Sequence, residues 1–485
     1  MNEVHMPRRV LILGCGSVVQ CLLPLLLDHF TFEPSSITIL ESRDNRERIV
    51  GSIERGVHYR QFEINRENLE ATLGAYLSDG DLLIDLAWNI GLEELLEWCR
   101  DHNVRYLNTS VEEWNPYGDP ASTSPQERTL YWRHMDLRRQ IAKWGSNDGP
   151  SAVVEHGANP GLVSHFVKQA LVEIAEAVLR DGLLAERHEE ITAAVAEGRF
   201  NVLAQLLEVR TIHIAERDTQ ITNQPKEVGE FVNTWSVDGF YEEGVAPAEL
   251  GWGTHEKTLP PLALTHEGAE GPKNQICLAQ MAHKTLVRTM VPSGPIIGMV
   301  IRHGEAFTIS DHLTVWEGDA PLYRPTVHYA YCPADVAWAS FVELEGNDYV
   351  YPDRMRVMND EIISGRDELG VLLMGHPYRS WWTGMRTTIE EAREVAPHQN
   401  ATTIQVAASI LGALQWMLES PREGVRVPDE LPWRGVLDVA LPYLGTLWSG
   451  PLDWDPVTTR TDWFDRWTGR HVDHDDPWQF TNFLA

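Results

Sequence analysis

The sequence has 485 residues, of which 43% are hydrophobic and 23% are charged, a balance typical of a globular protein with two or three domains. Its 40 Lys and Arg residues face 71 Asp and Glu residues, and the net charge of −31 would repel nucleic acids and anionic membranes but attract a small polycation. Five cysteines without a CxxC pair, no signal-peptide pattern and no apolar run of about 20 residues predict a cytoplasmic protein with neither a disulfide framework nor a membrane span.

Short apolar strands alternate with helical segments in the first third of the chain. The pattern predicts strands over residues 9–13, 37–40, 58–64, 82–87, 104–108 and 152–155. Helices are expected between them, including one near 18–29 and one near 66–77. Strands that alternate with helices form a parallel, doubly wound sheet with right-handed crossovers. We therefore predict an α/β protein whose first domain is a Rossmann domain.

After residue 160 the chain becomes rich in Trp, Gly, Pro and His, which indicates a second domain of α+β type with short strands at 298–302 and 306–309. A dense apolar run at 401–418 predicts a buried helix that returns to the first domain. The predicted boundaries are 1–160 for the Rossmann domain, 161–395 for the α+β domain, 396–425 for the returning helix and 426–485 for a C-terminal covering segment.

The first predicted strand runs into the glycine turn GCGSVV, residues 14–19, which opens a helix. Two glycines at this place let the backbone approach a pyrophosphate, and the helix N-terminus supplies free N–H groups and a positive dipole. Glu41 ends the second strand, where an acid binds the ribose hydroxyls and repels a 2′-phosphate, so NAD is favoured over NADP. Taken alone, the turn is equally consistent with no ligand, and Val19 replaces the usual third glycine. The cofactor-binding residues predicted here are Gly14, Gly16, Ser17, Val18, Glu41 and Ser42.

Polar groups also follow the later strands of the predicted sheet. Asn89, Thr109, Glu112 and the Asn159–Pro160 pair all lie just beyond strand ends. Ligands of open α/β sheets bind beyond the carboxyl ends of the strands, so these groups can face one dinucleotide, although loops are polar in any protein. Thr109, Asn159 and Pro160 are predicted to bind the cofactor. The alternative for Asn159 is a helix N-cap, and the two roles are compatible.

Long motifs extend over nearly the whole chain and carry a family resemblance. Those of the first and last parts are NTSVEEW (108–114), GANPGLVS (157–164) and DPWQF (476–480). Those of the second domain are HIAERDTQ (213–220), FVNTWSVDGF (231–240), PAELGWGTHE (247–256), YRPTVHYAYCPAD (323–335) and DELGVLLMGH (367–376). In these motifs the chain resembles the bacterial homospermidine synthases, a family related in fold to the saccharopine dehydrogenase group.

The resemblance implies a homodimer that holds NAD as a recycled prosthetic group. Members oxidise one putrescine to an imine, release ammonia, condense a second putrescine with the same carbon and reduce the Schiff base to homospermidine. Spermidine also serves them as an aminobutyl donor, with loss of diaminopropane. The expected ligand is thus a small cation, and the cofactor is NAD.

The chemistry of an amine oxidation can be compared with the motif residues. Hydride leaves a carbon that bears a neutral amine, so a base must remove a proton, and the distal ammonium must be held by carboxylates or an aromatic face. Trp235 matches the tryptophan that serves as a cation–π platform in this family, whereas from pattern alone it is one more aromatic among 18 tryptophans. The candidates that hold or deprotonate amines are Glu216, Glu243, Glu305 and Asp367.

His303 and Glu305 are two residues apart and, on a predicted strand, would lie on the same side. This spacing suits either an acid–base pair or a structural hydrogen bond, and the family resemblance places both residues in the active site. Glu112 and Asn159 match motifs expected near the nicotinamide, where the Asn159 amide could bind the carboxamide. Asn89 stands where an acid is expected in some relatives, which would change the preference among amines.

Two alternatives stay open. A saccharopine or carboxy(nor)spermidine dehydrogenase would act on carboxylates and need arginines in its pocket, and Arg217, Arg302 and Arg324 are available in the second-domain motifs. A non-catalytic NAD-binding sensor would keep the glycine turn without the Trp, His and Glu residues of the second domain. The histidines show no convincing zinc spacing, so no metal site is predicted.

Overall fold

The computed structural model describes residues 6–114, 122–266, 275–461, 463–464, 467 and 472–485. Its first unit is a seven-stranded parallel sheet with helices on both faces. The strands lie in the spatial order β22, β6, β5, β4, β1, β2, β3. Their bounds are β1 Val10–Leu13, β2 Ile37–Glu41, β3 His58–Gln61, β4 Leu82–Asp85, β5 Arg105–Asn108, β6 Ala152–Val153 and β22 Val425–Arg426.

The burial of each strand follows its position in the sheet. All residues of β1 and β4 are buried, as expected for central parallel strands covered by helices on both faces. The edge strand β3 is exposed along most of its length. The helices of this part are α1 Ser17–His29, α2 Val50–Glu54, α3 Leu69–Tyr76, α4 Leu92–Asp101 and α5 Leu130–Lys143.

The second unit is built on a mixed ten-stranded sheet. The strands lie in the order β11, β12, β10, β17, β7, β20, β21, β23, with the hairpin β13–β14 attached at β17. Their bounds are β7 Thr211–Asp218, β10 Pro247–Gly251, β11 Ala263–Thr265, β12 Gln275–Met281, β13 Leu286–Val291, β14 Gly294–Met299, β17 Thr326–Cys332, β20 Arg366–Met374, β21 Ser380–Thr388 and β23 Thr446–Leu452.

Short ribbons and helices surround this sheet. The ribbons pair β8 Ile221–Thr222 with β19 Ile362–Ser364, β9 Glu230–Asn233 with β18 Arg354–Val357, and β15 Val315–Glu317 with β16 Ala320–Tyr323. The helices are α6 Leu162–Asp181, α7 His188–Glu197, α8 Phe200–Leu206, α9 Val237–Val245, α10 Glu305–His312, α11 Asp335–Gly346, α12 Ile389–Val395, α13 Ala401–Glu419, α14 Trp433–Ala440 and α15 Phe480–Phe483.

The strand predicted at 306–309 is wrong. These residues lie in helix α10, which packs against β10 and β17. The helix is buried over its first six residues, so no exposed face marks a helical periodicity in residues 306–309, and a short buried segment does not by itself distinguish a helix from a strand. The neighbouring prediction at 298–302 is displaced, because the strand is Gly294–Met299.

Helix α13 joins the two units. By length and composition it could cross a bilayer, contrary to the sequence-based expectation, but it is largely buried inside the protein, where it packs on α1 and α14. The chain then adds β22 beside β6, at the edge of the first sheet. The first residues of α13 contact the second unit: Asn400, its N-cap, donates from Nδ2 to the carbonyl oxygens of Thr234 at 2.6 Å and Met358 at 2.8 Å.

Asn400→Ala should lower the free energy of unfolding by about 2–3 kcal/mol. The change removes the cap and leaves two buried carbonyl groups without their donor. Urea titration measures the loss, and Gln415→Ala, at a partly exposed position of the same helix, is the matched control with an expected change of less than about 0.5 kcal/mol. Equal losses in the two variants would contradict the joining role of this cap.

Candidate functional site

The glycine turn shapes one end of a long groove at the carboxyl edge of the first sheet. Gly14 has φ +88°, and a Cβ there would lie 2.6 Å from the carbonyl oxygen of Leu86, so only glycine fits. A Cβ on Gly16 would meet nothing within 4 Å, which leaves open space over the first turn of α1. Val19, the departure from the usual third glycine, is fully buried in the core. The N-terminus of α1, which follows this turn, can therefore offer its N–H groups to an anion.

Glu41 lies across this turn at the end of β2. Its Oε2 accepts from the backbone N–H of Cys15 at 2.6 Å and its Oε1 from that of Arg43 at 2.9 Å. The carboxylate is thereby fixed beside the glycine turn. Other predicted residues of the groove are Ser17, Val18, Ser42 and Asn89, the last with φ +59°.

The groove opens into a cavity of about 210 Å³ between the two units. Val18, Leu86, Ala87, Trp88 and Ser236 line both spaces. The structure brings most predicted site residues to the cavity wall, namely Val18, Thr109, Glu112, Asn159, Pro160, Glu216, Trp235, Glu243 and His303. Glu305 and Asp367 lie directly behind that wall, and Asn89 is in the groove instead.

His303 sits between two carboxylates. Its Nε2 lies 3.0 Å from Oε2 of Glu243, and its Nδ1 lies 3.2 Å from Oε2 of Glu305. Burial alone would lower the pKa of His303, but the two negative charges outweigh burial and raise it well above its ordinary value. The imidazole is therefore held as a cation. His303 and Glu305 are in contact, as predicted. They are brought together by the start of helix α10 and not by a strand.

Three buried carboxyl groups form a second cluster on β7 and β20. Asp367 is paired with Asp218 in the sheet, and Glu216 lies two residues before Asp218. Tyr329 donates to Glu216, Thr402 donates to Asp367 at 2.7 Å, and Thr234 donates to Asp218 at 2.7 Å. Burial raises the pKa of Glu216 to about 8 and that of Asp218 to about 6, and it raises the pKa of Asp367 well above its ordinary value.

This cluster can hold and release a proton near neutral pH, because its negative charges repel one another in a dry environment. Glu216 faces the cavity, while Asp218 is behind it. Asp218 was not among the residues predicted from sequence. The signal was present in HIAERDTQ, where Asp218 follows Glu216 by two residues on one strand and so lies on the same face.

An ion-paired triad that sequence reasoning also missed forms another part of the cavity wall. Glu242 accepts from Arg302 at 2.7 Å and from Arg133 at 2.9 Å, and all three side chains are buried. Arg133 lies on α5 of the first unit, whereas Glu242 and Arg302 belong to the second. Burial, with the nearby charge of Glu242, raises the pKa of Glu112 to about 7. Arg133 gave no sequence signal for this triad, because Glu242 lies 109 residues away in the chain.

Trp235 leans into the cavity between β9 and α9. Its ring is half-buried and tilted against Phe240 at a centroid distance of 5.5 Å. A Cβ on Gly239 would come within 3.0 Å of the Trp235 ring, so a larger residue there would push the indole. The indole is thus fixed at the edge of the cavity, where it can form part of a binding surface.

Comparison with known proteins agrees with this architecture. A family model described as the saccharopine dehydrogenase NADP binding domain matches residues 10–153, and one described as the saccharopine dehydrogenase C-terminal domain matches residues 157–450. Homospermidine synthases of Mesorhizobium japonicum and Blastochloris viridis are each 38% identical to this chain over 98% of its length and over 96% and 97% of their own. The chain belongs to the homospermidine synthase family.

The family also supplies a close structural match. The crystal structure of a homospermidine synthase from Legionella pneumophila, solved in complex with NAD, superimposes with a TM-score of 0.87 at 36% identity. The match covers 100% of this chain and 99% of that one. The α/β fold with a second domain of saccharopine dehydrogenase type and the family resemblance predicted from sequence are confirmed.

Glu216→Gln should stabilise the protein, and more at high pH than at low pH. The folded pKa of about 8 lies above the ordinary value, so the wild type loses stability as the pH rises from the ordinary pKa through the folded one. Glutamine carries no charge and still accepts from Tyr329. Urea unfolding at about pH 5 and about pH 9 measures the difference.

Glu176→Gln, an exposed position on α6, serves as the control and should change stability little at either pH. A gain in the Glu216 variant that is equal at the two pH values would contradict a buried carboxyl group with a raised pKa.

Proposed function

We propose that the protein is a homospermidine synthase that transfers an aminobutyl group from putrescine or spermidine to a second putrescine. The observation that carries this function is the cavity at the inner end of a dinucleotide groove, whose lining holds acidic groups in two different states of charge. The reaction joins two putrescine molecules and releases one ammonia. With spermidine as the donor, diaminopropane leaves instead.

The groove fits NAD. Gly16 leaves room for the pyrophosphate over the N-terminus of α1, and Glu41 stands where the ribose hydroxyls would lie and disfavours a 2′-phosphate. When bound, NAD accepts a hydride from the donor amine carbon and later returns it to the Schiff base. We place its nicotinamide end in the cavity, near Val18, Thr109 and Asn159.

The carboxyl cluster of Glu216, Asp218 and Asp367 supplies the base. A substrate ammonium must lose a proton before its carbon can be oxidised, and a group with a pKa near 8 can accept that proton and return it to the leaving ammonia. Since the cluster is buried, proton transfer stays within the cavity and the imine is shielded from bulk water.

The Glu243–His303–Glu305 group and Trp235 hold the substrate. Two carboxylates around one imidazolium leave a net negative charge for the distal ammonium. The Trp235 face adds a cation–π contact of roughly 0.5–2 kcal/mol, which positions an amine without binding it tightly. A net charge of −31 attracts the dication to the protein as a whole.

A dehydrogenase that acts on carboxylates would need an arginine in the cavity that is free to bind the substrate carboxylate. Among the described residues that line the cavity, the arginines are Arg133 and Arg302, and both are bound to Glu242. A substrate carboxylate would therefore meet no unpaired guanidinium there. We further propose that the enzyme is a cytoplasmic homodimer, in line with the family resemblance of the sequence.

The test of function is incubation of the purified protein with putrescine and a small amount of NAD. Homospermidine should form in excess of the NAD supplied, with an equal amount of ammonia and no net NADH, as measured by chromatography and absorbance. Product limited to the amount of NAD would refute recycling of the cofactor. Net NADH without homospermidine would favour a dehydrogenase, and the absence of any turnover would favour a sensor.

In the same assay Trp235→Ala should lower kcat/KM by about 3- to 30-fold, the loss that corresponds to a cation–π contact. Trp235→Phe should recover part of the rate. Trp316→Ala, at an exposed tryptophan outside the cavity, is the control and should leave the rate unchanged. Equal rates for Trp235→Ala and wild type would exclude the indole from substrate binding.

The two glycines of the turn should respond differently to alanine. Gly16→Ala should leave the melting temperature nearly unchanged but weaken NAD binding by at least about 10-fold, because the new Cβ occupies space left for the cofactor. Gly14→Ala should destabilise the fold by more than about 2 kcal/mol, because of its positive φ and the clash with Leu86. Calorimetry and NAD titration separate the two effects; tight NAD binding by Gly16→Ala would contradict the assigned groove.

A further inference from the structure

Gln405 is a buried amide on the cavity wall whose hydrogen-bonding groups are both unused. Its side chain is 1% exposed, and neither Nε2 nor Oε1 has a hydrogen-bond partner among the described residues. A buried amide without partners destabilises a fold, and an apolar side chain of the same size would avoid the penalty. We therefore expect a ligand bound in the cavity to supply the hydrogen-bond partners that Gln405 lacks.

The position of Gln405 indicates which part of the cavity this ligand occupies. Thr402, one turn earlier on α13 and on the same side of the helix, donates to Asp367 in the carboxyl cluster. Val406, the next residue, lies against Gly157 close to Thr109, at the carboxyl ends of the first sheet. Gln405 thus lies between the proton-accepting cluster and the strand-end loops, where the redox-active end of the cofactor must meet the substrate carbon.

We propose that Gln405, in place of the Asn159 amide predicted from sequence, binds the carboxamide of the nicotinamide ring, with Nε2 donating to the carboxamide oxygen and Oε1 accepting from its amino group. This assignment rests on the proposed function. A carboxamide offers one acceptor and one donor side by side, which complements the two free groups of a glutamine. The substrate amines are cations, and the carboxylates of the same cavity already match them in charge.

Helix α13 makes this contact a positioning device as well. Its first turn is fixed to the second unit by Asn400, and its length packs on α1, whose N-terminus faces the pyrophosphate. The carboxamide bound to Gln405 therefore sets the rotation of the nicotinamide ring relative to the Glu216–Asp367 cluster.

The test replaces Gln405 by Met, which has nearly the same volume and no hydrogen-bonding amide. Gln405→Met should bind NAD about 10- to 100-fold more weakly, the loss expected for two hydrogen bonds, while its affinity for ADP-ribose, which lacks nicotinamide, stays at the wild-type value. The wild type should bind 3-acetylpyridine adenine dinucleotide more weakly than NAD, since a methyl group replaces the carboxamide NH2. The variant should bind the two dinucleotides equally.

A stability measurement separates ligand binding from a structural role. Without NAD, Gln405→Met should melt at the same temperature as the wild type or higher, because a partnerless buried amide is removed. Gln415→Met, the same change at a partly exposed position of α13, is the matched control and should alter neither binding nor melting.

Three outcomes would overturn the inference. These are unchanged NAD affinity in Gln405→Met, equal weakening of NAD and ADP-ribose, and a melting temperature well below that of the wild type. A variant that keeps its NAD affinity but has a raised KM for putrescine would assign Gln405 to the substrate instead. The three overturning outcomes are measured by binding and melting and not by turnover, so failure of this assignment is distinct from failure of the proposed synthase activity, which the product assay measures on the wild type.

Discussion

A carboxyl group removed from water must become neutral or acquire a positive partner, and both solutions stand in the wall of one cavity. Glu216 and Asp367 favour the neutral form, since burial raises the pKa of each. Glu243 has a positive partner in His303, and Glu242 has two in Arg133 and Arg302. The cavity consequently holds proton acceptors and fixed charges a few residues apart. That combination depends on the second sheet, which buries the carboxyl groups.

This burial in turn depends on the path of the chain. Helix α13 follows β21 of the second sheet in sequence but packs on α1 of the first unit, and the chain later returns to the second sheet with β23, so that neither unit is complete without the other. Its first turn delivers Thr402 to the carboxyl cluster, and the next turn delivers Gln405 to the cofactor end of the cavity. The Arg133–Glu242 pair bridges the same junction from the other side. The site is therefore a product of the interface and not of either domain.

This origin explains what could be read from the sequence. Six of the seven strands of the first sheet, the glycine turn and Glu41 follow local patterns of hydrophobicity and spacing, so they were predicted within a few residues, whereas the two-residue strand β22 was not predicted. The family motifs carried Trp235, Glu216 and His303. Partners brought together only by the fold left no local trace: Arg133 and Gln405 occur in ordinary amphipathic or apolar helical stretches. The error at 306–309 has a related cause, since burial on all sides erases the periodicity that separates helix from strand.

Stability and function are opposed in such a cavity. A buried carboxyl group with a raised pKa, such as Glu216, lowers the free energy of unfolding above its ordinary pKa, and the loss grows until the pH exceeds the folded pKa. The amide of Gln405 adds a desolvation penalty of the same sign. A diammonium substrate and a carboxamide-bearing cofactor supply the missing counter-charge and hydrogen bonds, so their binding relieves what the empty cavity leaves unsatisfied. The free energy gained when substrate and cofactor bind can hold the two reactants in one orientation. Such orientation is the main requirement of aminobutyl transfer, because water must be excluded from the imine until the second amine arrives.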